Sequence, residues 1–134
     1  MSARFMLDTN TISDMMKNPK GKAARRARGV QDQLCTSIVV AAELRYGCAK
    51  KGSPTLLQRV EEILDEIGVL GLDVPADTDY GGIRSELEAA GRPIGANDLF
   101  IAAHAVSLGL TLVTANVREL SRIRGLRVEN WIGR

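Results

Sequence analysis

Four polar residues interrupt apolar text at places where chemistry could follow. Asp8 ends the apolar trio Phe5, Met6 and Leu7 in RFMLDTNT, and Glu43 is the only charged residue between Gln33 and Leu44. Asp98 opens the stretch ANDLFIAAHAVSLG, and Asn116 follows LTLVTA. Each acid has an ordinary reading by itself: Asp8 as a turn residue, Glu43 as a surface acid paired along its helix or with Arg45, and Asp98 as a first-turn acid favoured by the helix dipole. Brought to one place, the three would repel one another and could not all stay ionised without a cation. A hard divalent ion resolves that conflict. Magnesium takes oxygen ligands, keeps several waters and needs only one or two direct carboxylates beside a substrate phosphate. It also acidifies bound water, so no histidine base is required. His104, the only histidine, sits mid-helix among alanines and reads as a packed or edge residue. An aspartyl-phosphate type of phosphohydrolase would want an acid two residues after Asp8, where the chain has Asn10.

For these residues to meet, the elements around them must converge. The apolar trio reads as a buried strand. Thr11 with Asp14 three residues on predicts a capping box opening a short helix, which Asn18-Pro19-Lys20-Gly21 closes. A basic helix over 22–28 precedes the strand LCTS at 34–37, and Ser37 then caps a helix that ends near Gly52. Ser53-Pro54 opens the next helix, with Leu57, Val60, Ile63, Leu64 and Ile67 as its apolar stripe. A third strand is predicted over 69–74, a helix over 76–90, and an almost wholly apolar interior helix over 96–109. A strand over 110–115, a helical turn at NVRELSRI and an edge strand over 126–131 complete the chain. Strands alternating with helices imply an α/β fold with a mainly parallel sheet and right-handed crossovers. Ligands bind such sheets at the carboxyl ends of strands, where strand order reverses. Asp8 closes the first strand, Glu43 lies in the second turn of the helix after the second, Asp98 starts the helix leading into the fourth, and Asn116 follows the fourth.

A chain of 134 residues, 45% hydrophobic and 25% charged, is expected to form one domain over residues 1–134. No stretch approaches the roughly 20 apolar residues that span a bilayer, and MSARFML lacks the apolar core of a signal peptide, so a cytoplasmic protein without a membrane partner is expected. Cys35 and Cys48 form no CxxC pair and read as buried thiols. The net charge of +2 hides an asymmetry. Residues 61–88 hold nine acids against Arg84 alone, which leaves seven acids against 17 bases elsewhere. Lys17, Lys20, Lys22, Arg25, Arg26 and Arg28 form an acid-free basic run, and Arg118, Arg122, Arg124, Arg127 and Arg134 add a second. These are candidate grips for the phosphates of a polyanion, against the alternative of ordinary solvated helix faces. Aromatics at 4% leave little for the base stacking by which a nucleic acid could be read.

The segments LDTN at 7–10, SIVVAAELRYG at 37–47, IGANDLFIAAHAVSLGLTLVTAN at 94–116 and RELSRIRGLRVENW at 118–131 resemble, in this order, the PIN-domain ribonucleases. The resemblance is closer still to the VapC toxins of type II toxin–antitoxin systems. It implies a PIN-like three-layer α/β/α sandwich and an endoribonuclease dependent on Mg²⁺, with Mn²⁺ as a substitute. A cognate VapB-like antitoxin and a homodimer are implied partners. Asp8 and Asp98 match the family's metal-binding aspartates, and Glu43 matches the acid on the third helix, as a catalytic and metal-binding residue. Many PIN domains place a fourth acid two residues after the threonine of the fourth strand, where this chain has Asn116 after Thr114. Asn116 thus enters the expected catalytic set as a neutral variant, which puts a second, tightly held metal in question. Thr9, Asn10 and Thr114 are expected to support the acids by hydrogen bonds. The same TxN pattern resembles the enteric-type VapC subgroup and points to the anticodon loop of initiator tRNA. A DNA-directed nuclease and a non-cleaving binding module are the alternatives. Leu99 and Tyr46 are expected at the rim of the site, as a seat for an antitoxin segment.

Overall fold

The computed structural model describes residues 3–133; Met1, Ser2 and Arg134, the last of the arginines counted above, lie outside the described residues. The elements are β1 (Phe5–Leu7), α1 (Thr9–Lys17), α2 (Lys22–Gly29), β2 (Leu34–Ser37), α3 (Ile38–Lys51), α4 (Pro54–Ile67) and β3 (Val69–Leu70). They continue as α5 (Ala76–Ala89), α6 (Ala96–Leu108), β4 (Thr111–Val113), α7 (Val117–Leu120) and β5 (Val128–Glu129). All strand pairings are parallel, in the order β3-β2-β1-β4-β5. The chain travels outward from β1 to β3 and then returns to the far side of β1. Right-handed crossovers in opposite directions put their helices on opposite faces, which gives the three-layer α/β/α sandwich. Because both faces are covered, β1, β2 and β4 are buried at every residue. Met6, Leu7, Ile12, Ile101 and Leu112 form the centre of the core.

Helix ends follow local chemistry closely. Ser37 accepts from the Val39 amide to start α3, and Ser53 accepts from the Leu56 amide to start α4, with Pro54 in its first turn. Gly52 (φ 62°) and Gly109 (φ 69°) end α3 and α6 in the left-handed region, where a Cβ would be strained. Three expectations are corrected. α1 starts at Thr9, capped by Asp8 rather than by a Thr11–Asp14 box; Thr11 is inside the helix and its hydroxyl donates to the Val113 carbonyl at 3.2 Å. β3 and β5 are far shorter than predicted. Past Leu70, the Asp73 carboxylate accepts from the Val74 amide and its carbonyl from the Ala76 amide, a turn that starts α5 instead of extending the edge strand. In α4 the stripe includes half-buried Leu56, whereas Leu57 is exposed.

Candidate active site

β1 and β4 pair with Leu7 opposite Val113, so the next residues, Asp8 and Thr114, come side by side at the carboxyl edge of the sheet. This is where strand order reverses. Both are buried, Asp8 with 4% exposure. The Thr114 hydroxyl donates to Asp8 Oδ2 at 2.8 Å, and the Thr9 amide donates to Asp8 Oδ1 at 2.7 Å. Thr114 Oγ1 in turn accepts from the Asn116 amide at 3.0 Å and from Asn10 Nδ2 at 3.3 Å. Asn10 Oδ1 accepts from the Ala115 amide at 2.9 Å. Thr9, Asn10 and Thr114 thus form one hydrogen-bonded brace beneath Asp8.

Glu43 comes to the same edge on α3. Its Oε1 accepts from the Thr9 hydroxyl at 2.6 Å, which ties α3 to α1. Its Oε2 accepts from Asn97 Nδ2 at 3.0 Å, which ties α3 to α6. Arg45, the base that might have paired with Glu43, instead pairs with Glu61. Asp98, one residue past Asn97, receives a long hydrogen bond of 3.4 Å from Asn116 Nδ2. The same amide nitrogen donates to Glu119 Oε1 at 3.0 Å.

That last contact changes the reading of Asn116. A carboxamide between two carboxylates must present its nitrogen, since ionised carboxylates only accept. Asn116 is a donor that links Asp98 to Glu119, and Glu119 brings a fourth carboxylate to the site. The sequence signal was the spacing Asn116-x-x-Glu119, which brings an acid three residues into a helix back over its start. Asn97 was also missed, being overshadowed by its neighbour Asp98.

The acids feel one another. Burial raises the Asp8 carboxyl above the ordinary aspartate range, and Glu43 adds to the rise, while the Thr114 and Thr9 hydrogen bonds act against it. Asp98 is raised first by burial and then by the charges of Asp8, Glu43 and Glu119, with the Asn116 hydrogen bond opposing. None of the four acids forms an ion pair among the described residues. Nor do any three acids, histidines or cysteines there close into a cage of their own. An open donor set made only of oxygens suits magnesium, which retains waters and shares its ligands with phosphate; zinc sites draw chiefly on histidine nitrogen and cysteine sulfur. The residues present therefore fit a hard divalent cation.

The basic run is dispersed by the fold. Lys17 lines a groove of about 240 Å³ together with Thr9, Glu43, Lys51 and Arg59. The Arg25 and Arg28 guanidiniums donate to the Lys20 and Pro19 carbonyls at 3.1 and 2.9 Å. Arg26 lies over the Phe5 and Trp131 rings and beside Glu129. The Lys22 side chain packs toward Gly133, and Lys20 is exposed. Of the six, only Lys17 shares a groove with a site acid. Leu99, expected at the rim, is buried because it faces the core side of α6, whereas Tyr46 is 66% exposed.

A family model described as the PIN domain matches residues 5–126. The chain is 43% identical over 129 residues to the tRNA(fMet)-specific endonuclease VapC of Shigella flexneri, covering 96% of this chain and 98% of that protein. It is 36% identical over 130 residues to Ribonuclease VapC2 of Haemophilus influenzae, again covering 96% and 98%. Among solved structures, DNA-bound VapBC from Salmonella typhimurium matches with a TM-score of 0.90 and 39% identity, over 96% of this chain and 98% of that one. The acidic edge of the sheet, the five-stranded parallel order and these likenesses agree: the chain belongs to the PIN-domain family, within its VapC branch.

Proposed function

We propose that the chain is the toxin of a type II toxin–antitoxin pair and acts as a Mg²⁺-dependent endoribonuclease, with the anticodon loop of initiator tRNA as its substrate. The observation that carries this reading is the cluster of Asp8, Glu43, Asp98 and Glu119 around the β1–β4 edge, with no cation among their partners in the described residues. The endonuclease and ribonuclease names of the relatives support the RNA substrate.

In this reading Asp8, Asp98 and Glu43 hold the ion, Mg²⁺ or its substitute Mn²⁺. When bound, the ion supplies positive charge against the phosphate and lowers the pKa of water. Glu43, fixed from two sides by Thr9 and Asn97, orients the attacking water for in-line displacement. Asn116 keeps Asp98 and Glu119 apart from direct repulsion by donating to both. Thr114, Thr9 and Asn10 hold Asp8 at its post. The products are a 5′-phosphate and a 3′-hydroxyl.

An antitoxin of the VapB kind is the proposed inhibitor, supported by the structural likeness to a VapBC complex. The groove between α1, α3 and α4, lined by Met16, Leu44 and Leu56 together with Glu43, offers such a segment a seat. A homodimer is the proposed assembly, supported by exposed Val69, Leu72, Val74 and Phe100. No described helix is long and apolar enough to cross a membrane; a cytoplasmic single-domain protein is the corresponding proposal. The binding-module alternative rested on Asn116 as a missing acid; Glu119, held by Asn116 Nδ2, supports the nuclease reading over it. The test is a synthetic anticodon stem-loop offered as RNA and as DNA, with Mg²⁺ or with chelator. Cutting of the RNA alone, abolished by chelator, supports the proposal; cutting of the DNA alone would replace it with a DNA-directed nuclease.

A further inference from the structure

α3 and α6 carry Glu43 and Asp98, and two polar rungs join them. At one, Asn97 Nδ2 donates to Glu43 Oε2 at the exposed end. At the other, Nδ1 of His104 meets Ser37 Oγ at 2.8 Å in the interior. His104 follows Asn97 on α6, while Ser37 precedes Glu43 on α3, so the helices run in opposite directions with about two turns between rungs.

The interior rung is unusual in its chemistry. His104 is 1% exposed and Ser37 fully buried. Ser37 Oγ already accepts from the Val39 amide, as the cap of α3. One serine therefore starts α3 and ties it to α6. Its hydroxyl proton has Nδ1 as its partner, which leaves the ring proton on Nε2. The opposite assignment would leave two orphans, a bare Nε2 and a buried hydroxyl proton, instead of one. Nε2 makes no hydrogen bond among the described residues. An aliphatic side chain could fill the same space but would lose the Ser37 contact. Burial also lowers the His104 pKa, with the Gly71 backbone opposing, so the ring is neutral and its role is geometric.

We propose that His104 is a positioning residue for the nuclease site: through Ser37 it fixes the start of α3, and hence Glu43, against the helix that bears Asp98. This rests on the nuclease reading above. No part of the rung touches the Lys17 groove, so RNA binding should survive its loss while turnover does not. An asparagine amide can reach the position of imidazole Nδ1, whereas leucine fills the space with no polar atom.

The experiment compares the wild type, His104→Leu and His104→Asn in cleavage of the initiator-tRNA stem-loop and in amide exchange at Val39. The ring nitrogens of the wild type are read by ¹⁵N NMR. Expected for His104→Leu is a fall in kcat on the order of tenfold with KM unchanged, together with faster exchange at Val39; His104→Asn should recover most of both. An unprotonated, hydrogen-bonded Nδ1 is expected in the NMR spectrum, which needs no variant to fold. Wild-type kcat and exchange in His104→Leu, no recovery in a folded His104→Asn, or an Nδ1 without a hydrogen bond would each overturn the proposal. If the wild type cuts no RNA, the nuclease reading fails separately, and a wild-type Val39 exchange rate in His104→Leu would still overturn the rung.

Discussion

Asp98 has neighbours on three sides that oppose its charge, Asp8, Glu43 and Glu119, and one hydrogen bond from Asn116 that favours it. Its folded pKa is raised, so the folded state binds the proton more tightly than the unfolded one. Stability of the metal-free protein therefore falls as pH rises, from the ordinary aspartate range near pH 4 up through the raised value, and the deficit is fully present above it. Asp98→Asn should remove that deficit: without divalent ion its Tm at pH 7 should exceed the wild-type value by a few degrees, and the gap should close toward pH 4. Calorimetry at the two pH values checks the sign, and an equal gap at both would contradict it. Asn116→Asp replaces a shared donor with another carboxylate, so metal-free Tm should drop and cleavage weaken; a gain in activity would show instead that position 116 serves as an oxygen ligand. Asp8, Glu43 and Asp98 were legible as a cluster because each acid stood out against apolar text. Glu119 was not, because in RELSRI it looks like any solvated helix acid until the fold turns α7 over the site.

At the scale of elements, the site depends on the β1–β4 junction, where Thr114 donates to one acid and accepts from two donors on its other side. Thr114→Val keeps the shape but leaves Asp8 Oδ2 and the Asn116 amide without a partner. Leaving such buried groups unpaired costs about 1–3 kcal/mol each, so a marked loss of stability in chemical denaturation and a loss of cleavage are expected. A neutral result would mean that water replaces the hydroxyl and that the brace is dispensable. Strand and helix order was readable here because caps such as Ser37, Ser53 and Gly52 punctuate the chain. What failed is where two local signals compete: Thr11–Asp14 offers a capping box, but the Asp8 side chain reaches the helix start first. β3 was overextended because alternation in VLGLDV ignores the turn that Asp73 makes for itself.

The whole molecule divides its charge, with nine acids in 61–88 and the bases concentrated elsewhere. Folding then spends much of the basic run on structure: Arg25 and Arg28 tie down carbonyls, and Arg26 packs on aromatic rings. That allocation could not be read from composition, since a guanidinium facing a carbonyl and one facing solvent have the same sequence. Lys17 and Lys51 remain at the groove beside Glu43, where the Arg59 guanidinium is tied to the Met16 carbonyl. RNA affinity should therefore fall steeply with salt, and Lys17→Ala with Lys51→Ala should reduce the slope of log affinity against log salt by about 2. An unchanged slope in filter binding would place the phosphate contacts on another face.

The central claim is that the acidic edge between β1 and β4 cuts RNA through a divalent ion. It is tested most directly by incubating purified protein with a total tRNA pool and sequencing the new ends, for wild type with Mg²⁺, wild type with chelator, and Asp98→Asn with Mg²⁺. The account predicts 5′-phosphate ends confined to the anticodon loop of initiator tRNA in the first sample and none above background in the other two. Equal cutting by Asp98→Asn, or no cutting by the folded wild type with either Mg²⁺ or Mn²⁺, would contradict it.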